Sequence, residues 1–254
     1  MSVFKRHSLM VVCLLLSATA ALAIDSGLEQ LPFVKKMQLA KAGDPDAKMA
    51  VALALEGGID TKADPAQAAK WYREAALTGN YEAQFHLAKL VEKGAPGLKA
   101  DKATAIKLLE SGAKHGHAPS ENLLGQMLQN GDGLAKDEKA AVDWYKKAAA
   151  QKLAVAQNNL GVMLLKGLGT DRNLDEAFKM FDAAALNQDG WAMNNLGGMY
   201  EMGWGTTKDL AKAKEFYQKA ANKGIAISTK NLQRLAKLAS SPATASTTVL
   251  PPKP

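Results

Sequence analysis

A block of about 36 residues recurs along this chain, and it restricts the possible folds more than any other feature of the sequence. The phrase Trp71-Tyr72-Arg73-Glu74-Ala75-Ala76 returns as Trp144-Tyr145-Lys146-Lys147-Ala148-Ala149, as Met180-Phe181-Asp182-Ala183-Ala184-Ala185 and as Phe216-Tyr217-Gln218-Lys219-Ala220-Ala221. A weaker copy, Leu108-Leu109-Glu110-Ser111-Gly112-Ala113, fills the gap between the first two. The phrase therefore begins at 71, 108, 144, 180 and 216, in steps of 37, 36, 36 and 36. Self-similarity at a fixed period of this length marks a solenoid, because one unit cannot bury its apolar face alone and hides it against its neighbours.

Three further columns keep the same register. Asp64, Asp101, Asp137, Asn173 and Asp209 precede each phrase at a constant offset. A side-chain oxygen of these types accepts an orphan N–H of a first helical turn, so the column predicts N-caps. Upstream lie glycine turns: Gly57-Gly58, Gly94 to Gly97, Gly131 and Gly133, Gly167 and Gly169, Gly203 and Gly205. Glycine there supplies the left-handed backbone that ends one helix. Upstream again are Val51-Ala52, Leu87-Ala88, Leu124-Gly125, Leu160-Gly161 and Leu196-Gly197, whose small residue lets two helix backbones approach. Each unit is thus a helix A (near Ala154 to Lys166), a loop, and a helix B (near Leu174 to Asn187). The same logic predicts that Trp144 is buried between a helix B and the next helix A, with Lys147 on the outer face.

These residues (A-x-x-x-L-G-x-M-x-x-x-G-x-G, then D, then A-x-x-W-Y-x-K-A-A) resemble the Sel-like repeat, a longer relative of the tetratricopeptide repeat. Residues 154–224 match most closely, and repeat two departs most, with Ala88, Pro96 and Leu108-Leu109. The resemblance implies an all-α fold, a right-handed superhelical solenoid of antiparallel helix pairs, with about five repeats over residues 44–224 and about twelve helices. Half-repeats cap it: a lone helix B in 24–43 and a lone helix A in 225–238, where Gln233 and Ala236 give a more polar outer face. The Ser/Thr/Ala/Pro segment 239–254 has too little apolar surface to join a core and is expected to be disordered.

The first 23 residues read as a signal peptide, with basic Lys5-Arg6, an apolar run from Leu9 to Leu16, and Ala21-Leu22-Ala23 as an A-x-A cleavage site. The run is shorter than the roughly 20 residues a spanning helix requires, so no integral membrane span is expected. Cys13, the only cysteine, sits inside the run without the small preceding residues of a lipidation site. Cleavage after Ala23 leaves a mature chain without cysteine, and family members are common in bacterial envelopes, so the expected location is the periplasm. Loss of Lys5 and Arg6 lowers the formal charge from +7 to +5. The excess is spread over expected solvent positions such as Lys146, Lys147, Lys212, Lys214 and Lys219, which gives no basis for nucleic-acid binding.

Chemistry finds little support. His115-Gly116-His117 falls where a helix B ends, with no further ligand at metal spacing, so no metal is expected. Ser111-Gly112-Ala113-Lys114 matches S-x-x-K, but its companion motifs in penicillin-recognising enzymes are missing. The Gly-x-Gly turns connect helices and follow no strand, so no nucleotide and no other cofactor is expected. The reading is therefore a non-enzyme: a monomeric scaffold that binds another envelope protein or peptide, possible alternatives implied by the resemblance being a wall-fragment or penicillin-recognising protein and a secreted factor acting on host proteins. In the related tetratricopeptide architecture the position two before the Leu of each Leu-small pair lines the concave face. That column is Met49, Phe85, Asn122, Asn158 and Asn194, with Gln126 one turn from Asn122. Such amides suit the backbone of an extended peptide, and equally suit bridges between neighbouring repeats.

Overall fold

The computed structural model describes residues 27–240, so the signal-peptide reading and the last fourteen residues of the tail lie outside it. The described residues form twelve α-helices preceded by a 3-10 turn, Leu28–Gln30. The helices are α1 (Phe33–Lys41), α2 (Pro45–Gly57), α3 (Pro65–Ala76), α4 (Tyr81–Lys93), α5 (Lys102–Lys114), α6 (Ala118–Asn130), α7 (Glu138–Ala150), α8 (Ala154–Lys166), α9 (Leu174–Leu186), α10 (Gly190–Met202), α11 (Leu210–Asn222) and α12 (Ala226–Ser240). Even-numbered helices from α2 are the A helices of the repeats, and odd-numbered ones from α3 the B helices. The last helix runs two residues past the boundary expected for the C-terminal cap.

The N-cap column forms as its chemistry requires. Asp64, Asp101, Asp137, Asn173 and Asp209 each accept the backbone N–H three residues on, at 2.9–3.0 Å. At the other end of helix A, Gly167 closes α8 in the left-handed region (φ 68°, ψ 38°). Repeat two differs, with Gly94 at φ 70° and ψ 172° and an isolated bridge between Ala95 and Leu98. Its extra residue and Pro96 reshape the loop without disturbing α4 or α5.

Two compact units divide the described chain. The first runs to Met127 and includes Gly131–Ala135; the second takes Leu128–Asn130 and everything from Lys136. In the first unit the core is Val51, Leu55, Tyr72, Leu87, Val91, Leu109 and Met127, with α1 covering the first repeat through Ala40. In the second unit Val142, Tyr145, Leu160, Met163, Phe181, Leu196, Met199 and Tyr217 are buried, and Leu235 of α12 closes the end.

The adjacent pair of large apolar residues in each helix B is resolved differently from the expectation for Trp144. The first member is half-buried, whereas the second (Tyr72, Leu109, Tyr145, Phe181, Tyr217) is in the core. The ring of Trp144 instead lies under Lys147 Nζ, 3.9 Å from its centroid. The second aromatic wins the interior because it lies against the small residue of helix A: a Cβ on Gly161 would stand 2.7 Å from the Phe181 ring, and one on Gly197 2.6 Å from that of Tyr217. Each buried tyrosine then finds an acceptor sixteen residues upstream at the end of helix A. Tyr72 Oη donates to Glu56 (2.5 Å), Tyr145 to Gln129 (2.7 Å) and Tyr217 to Glu201 (2.9 Å). Phe181 has no hydroxyl, and the residue sixteen positions before it is Leu165. The pairing obeys the rule that a buried hydroxyl must be satisfied.

The second glycine of each Gly-x-Gly loop does more than turn the chain. Gly169 comes so close to the first residue of α7 that an added Cβ would lie 2.2 Å from the Glu138 carbonyl oxygen, and Gly205 stands likewise over Leu174 (2.3 Å). Each of these two loops in the second unit therefore stacks its backbone on the start of the preceding helix B.

Candidate functional site

The six residues of the expected binding column occupy the A helices but differ in what they offer. Met49 on α2 is buried in the core of the first unit, and Phe85 on α4 is half-buried against that core. Asn122 on α6 is buried, while Gln126, one turn on, is half-exposed. In the second unit the amides bridge repeats. Asn158 Oδ1 on α8 accepts from Asn195 Nδ2 on α10 at 2.9 Å. Asn194 Oδ1 accepts from Ser228 Oγ (2.9 Å) and Asn231 Nδ2 (3.1 Å) on α12. Of the two uses open to these amides, Asn158 and Asn194 carry out the structural one. Glu201, near the end of α10, is held below the usual carboxylate range, first by its hydrogen bonds with Arg234, with Tyr217 adding to the effect.

The first unit carries a cluster that the sequence reading passed over. His86 on α4 stands between two carboxylates: Nδ1 is 3.2 Å from Glu56 Oε2 on α2, and Nε2 is 3.4 Å from Glu82 Oε1 on its own helix. Glu82 Oε2 also accepts from His117 Nε2 at 2.9 Å, and His117 Nδ1 meets Ser120 Oγ at 2.8 Å. Tyr72 extends the chain at the other end, donating to Glu56 and stacking on His86 with centroids 5.1 Å apart. Burial alone would lower the His86 pKa, but its hydrogen bonds to Glu56 and Glu82 and their charges outweigh burial and raise it. Burial would likewise raise Glu56, yet the bonds from His86 and Tyr72, with the charges of His86 and Lys89, bring it below its ordinary value.

His117 was expected at the end of a helix B without a carboxylate near it. It is instead the first flanking residue of α6, and the Glu82 carboxylate reaches it from 35 residues away. Only the i,i+4 spacing of Glu82 and His86 was visible locally; the rest requires knowing which repeats are neighbours. His115 behaves as expected of a helix end, bonding the Ser111 carbonyl through Nδ1 and stacking on Tyr81.

Ser120, His117 and Glu82 lie in the order of a nucleophile, a base and an orienting acid. Ser120, however, is 0 % exposed, its hydroxyl against Gly112, where an added Cβ would lie 2.6 Å from it. A carbonyl substrate cannot reach that oxygen, so the arrangement ties α4 to the start of α6 rather than activating a nucleophile.

Above this network lies Phe85. Its ring meets His86 edge-on (82°) and His117 at a tilt (59°), both at 5.8 Å, and Lys89 Nζ stands 5.4 Å over it. An aromatic ring flanked by two imidazoles, partly open and beside an exposed cation, is an anchor of the kind that interfaces use.

Comparison with known proteins bears on the repeat fold that carries these residues. The Sel1 repeat profile matches residues 45–80, 82–117, 118–153, 154–189 and 192–225. Among solved structures, a protective antigen of uropathogenic Escherichia coli displaying an SLR fold is 30% identical with a TM-score of 0.71, over 82% of this chain and 44% of that one. The chain thus spans less than half the length of that antigen. A Sel1 repeat protein from Oxalobacter formigenes is 25% identical, with a TM-score of 0.71, over 82% of this chain and 89% of its own. An immunity protein from Pseudomonas aeruginosa, 21% identical with a TM-score of 0.53 over 84% of this chain and 90% of its own, shows the fold alone. No curated protein sequence matches significantly.

Proposed function

The chain belongs to the Sel1 repeat family, and from that premise we propose that it is a non-catalytic scaffold of the bacterial envelope, whose helix-A face in the first unit seats a segment of another envelope protein. Sel1 repeats typically mediate protein–protein interaction. The observation that carries the choice of face is Phe85, left half-open beside exposed Lys89 while Asn158 and Asn194 spend their acceptors inside the fold. A partner segment with an apolar side chain for the ring and a carboxylate for the ammonium matches this chemistry.

Export is part of the proposal and rests on Lys5-Arg6, the apolar run and Ala21-Leu22-Ala23. No helix among the described residues is long and apolar enough to cross a membrane. One experiment tests address and face together. A photo-crosslinking residue at position 85, in protein expressed in living cells, is expected to trap a discrete adduct in the periplasmic fraction, with the scaffold beginning at Ile24. The same residue at exposed position 146 on α7 is expected to trap none. Adducts from position 146 alone would refute the face, and an N-terminus at Met1 would refute the export.

A further inference from the structure

The environment of His86 is unusual for a histidine because both its ring nitrogens face carboxylates. A carboxylate oxygen only accepts, and a neutral imidazole has one N–H to give. With Glu56 and Glu82 ionised, both contacts (3.2 and 3.4 Å) are hydrogen bonds only when the ring carries two protons. His117 is built differently: its Nε2–H donates to Glu82, while at Nδ1 the Ser120 hydroxyl can either donate or accept. It therefore keeps both bonds in either protonation state, and His86 does not.

We propose that His86 is a proton-operated latch between the first two repeats. Charged, it joins Glu56 of α2 to Glu82 of α4 and packs at right angles to the Phe85 ring. Neutral, it must release one carboxylate, and the helix-A face of the first unit loosens. The link to partner binding rests on Phe85 being the docking anchor, as proposed above; the latch itself does not.

The groups acting on His86 come from each element around it. They are Glu56 from α2, the stacked Tyr72 from α3, Glu82 from its own helix, and His117 from the start of α6, bonded to the same Glu82. Lys89 on α4 acts through Glu56, and α5 presents Gly112 to Ser120. The sign follows from these partners. A histidine raised above 6.5 on folding stabilises fully below that value and loses the contribution as pH rises through its folded pKa. Glu56, lowered from 4.5, contributes above that value and loses the contribution as pH falls through its own. The latch is therefore closed in mildly acidic solution, between these limits, and opens towards alkaline pH.

The test uses the full chain without any partner. The histidine ring signals of the wild type are followed by NMR from about pH 5 to about pH 9, together with the Phe85 ring signals and the melting temperature, around the ordinary histidine midpoint. His86 is expected to titrate above 6.5. Phe85 is expected to shift with the same midpoint, and melting to fall by a few degrees across it. In the Glu56→Gln variant, which keeps an acceptor for Tyr72, the midpoint is expected to drop and the pH dependence of melting to shrink. His86→Gln should abolish the pH dependence, leaving a constant melting temperature near that of the wild type at high pH. A His86 midpoint at or below 6.5, or a pH dependence of melting that survives His86→Gln, would overturn the latch. Because no partner is present, that failure would leave the docking reading intact, and crosslinking can fail while the latch holds.

Discussion

Replacing Tyr145 with alanine is expected to cost about 3–5 kcal/mol, the range for a large buried aromatic. Trp144→Ala, removing the larger side chain next to it, is expected to cost only roughly 1–2 kcal/mol. The difference comes from direction. Tyr145 is 0 % exposed and its hydroxyl is bonded to Gln129, so the substitution opens a cavity and strands an acceptor. Trp144 keeps one face towards solvent beneath Lys147, and losing it forfeits partial burial and one cation–π contact. Denaturant unfolding of the two variants beside the wild type checks the order. Equal losses would mean that the two aromatics share the core, contrary to their positions. Tyr145→Phe should isolate the hydroxyl at about 1 kcal/mol.

Gly169→Ala is expected to cost about 2–5 kcal/mol, far above the usual effect of adding a methyl group in a loop. Its φ of 65° is a left-handed conformation that costs an L-residue roughly 1–2 kcal/mol. The new Cβ would also fall 2.2 Å from the Glu138 carbonyl oxygen, where the obstacle is helix backbone and cannot swing aside. Overpacking of that kind adds about 1–3 kcal/mol. Gly116→Ala is the control: its φ is also positive, at 77°, but nothing lies within 4 Å of the added carbon. Thermal melting of both should show a small loss for Gly116→Ala and a large one for Gly169→Ala. Similar losses would mean that conformation alone matters and that loop stacking contributes little.

These two cases show where the sequence is legible. The helix pairs, their caps and their loops follow from short-range chemistry repeated five times, and α8 begins and ends where the spacing places it. Which aromatic of each pair turns inward was not legible from the period, since the two positions are adjacent and both apolar. The informative signal lay sixteen residues upstream, where Glu56, Gln129 and Glu201 accompany tyrosine and Leu165 accompanies phenylalanine. Gly169 was legible as a turn but not as a contact, because its neighbour is a full repeat away. The candidate site divides in the same way. Phe85 emerged from its column, whereas the two imidazoles against its ring (His86 and His117) and the carboxylates that hold them (Glu56 and Glu82) are assembled from separate repeats. The amides of the column were legible as a ladder, and only the packing of neighbouring repeats assigns Asn158 and Asn194 to bridging.

In the proposed function the chain acts by seating a partner on Phe85. This is tested most directly by the affinity of the segment trapped from position 85 for three purified proteins: the wild type, Phe85→Ala and Lys89→Glu. Calorimetry should find binding weakened about tenfold or more by Phe85→Ala, as for a buried interface anchor. Exposed Lys89→Glu should weaken it too, with the helical signal unchanged, since its charge is reversed over the ring while the core is untouched. Affinity equal to wild type in both variants would contradict the claim.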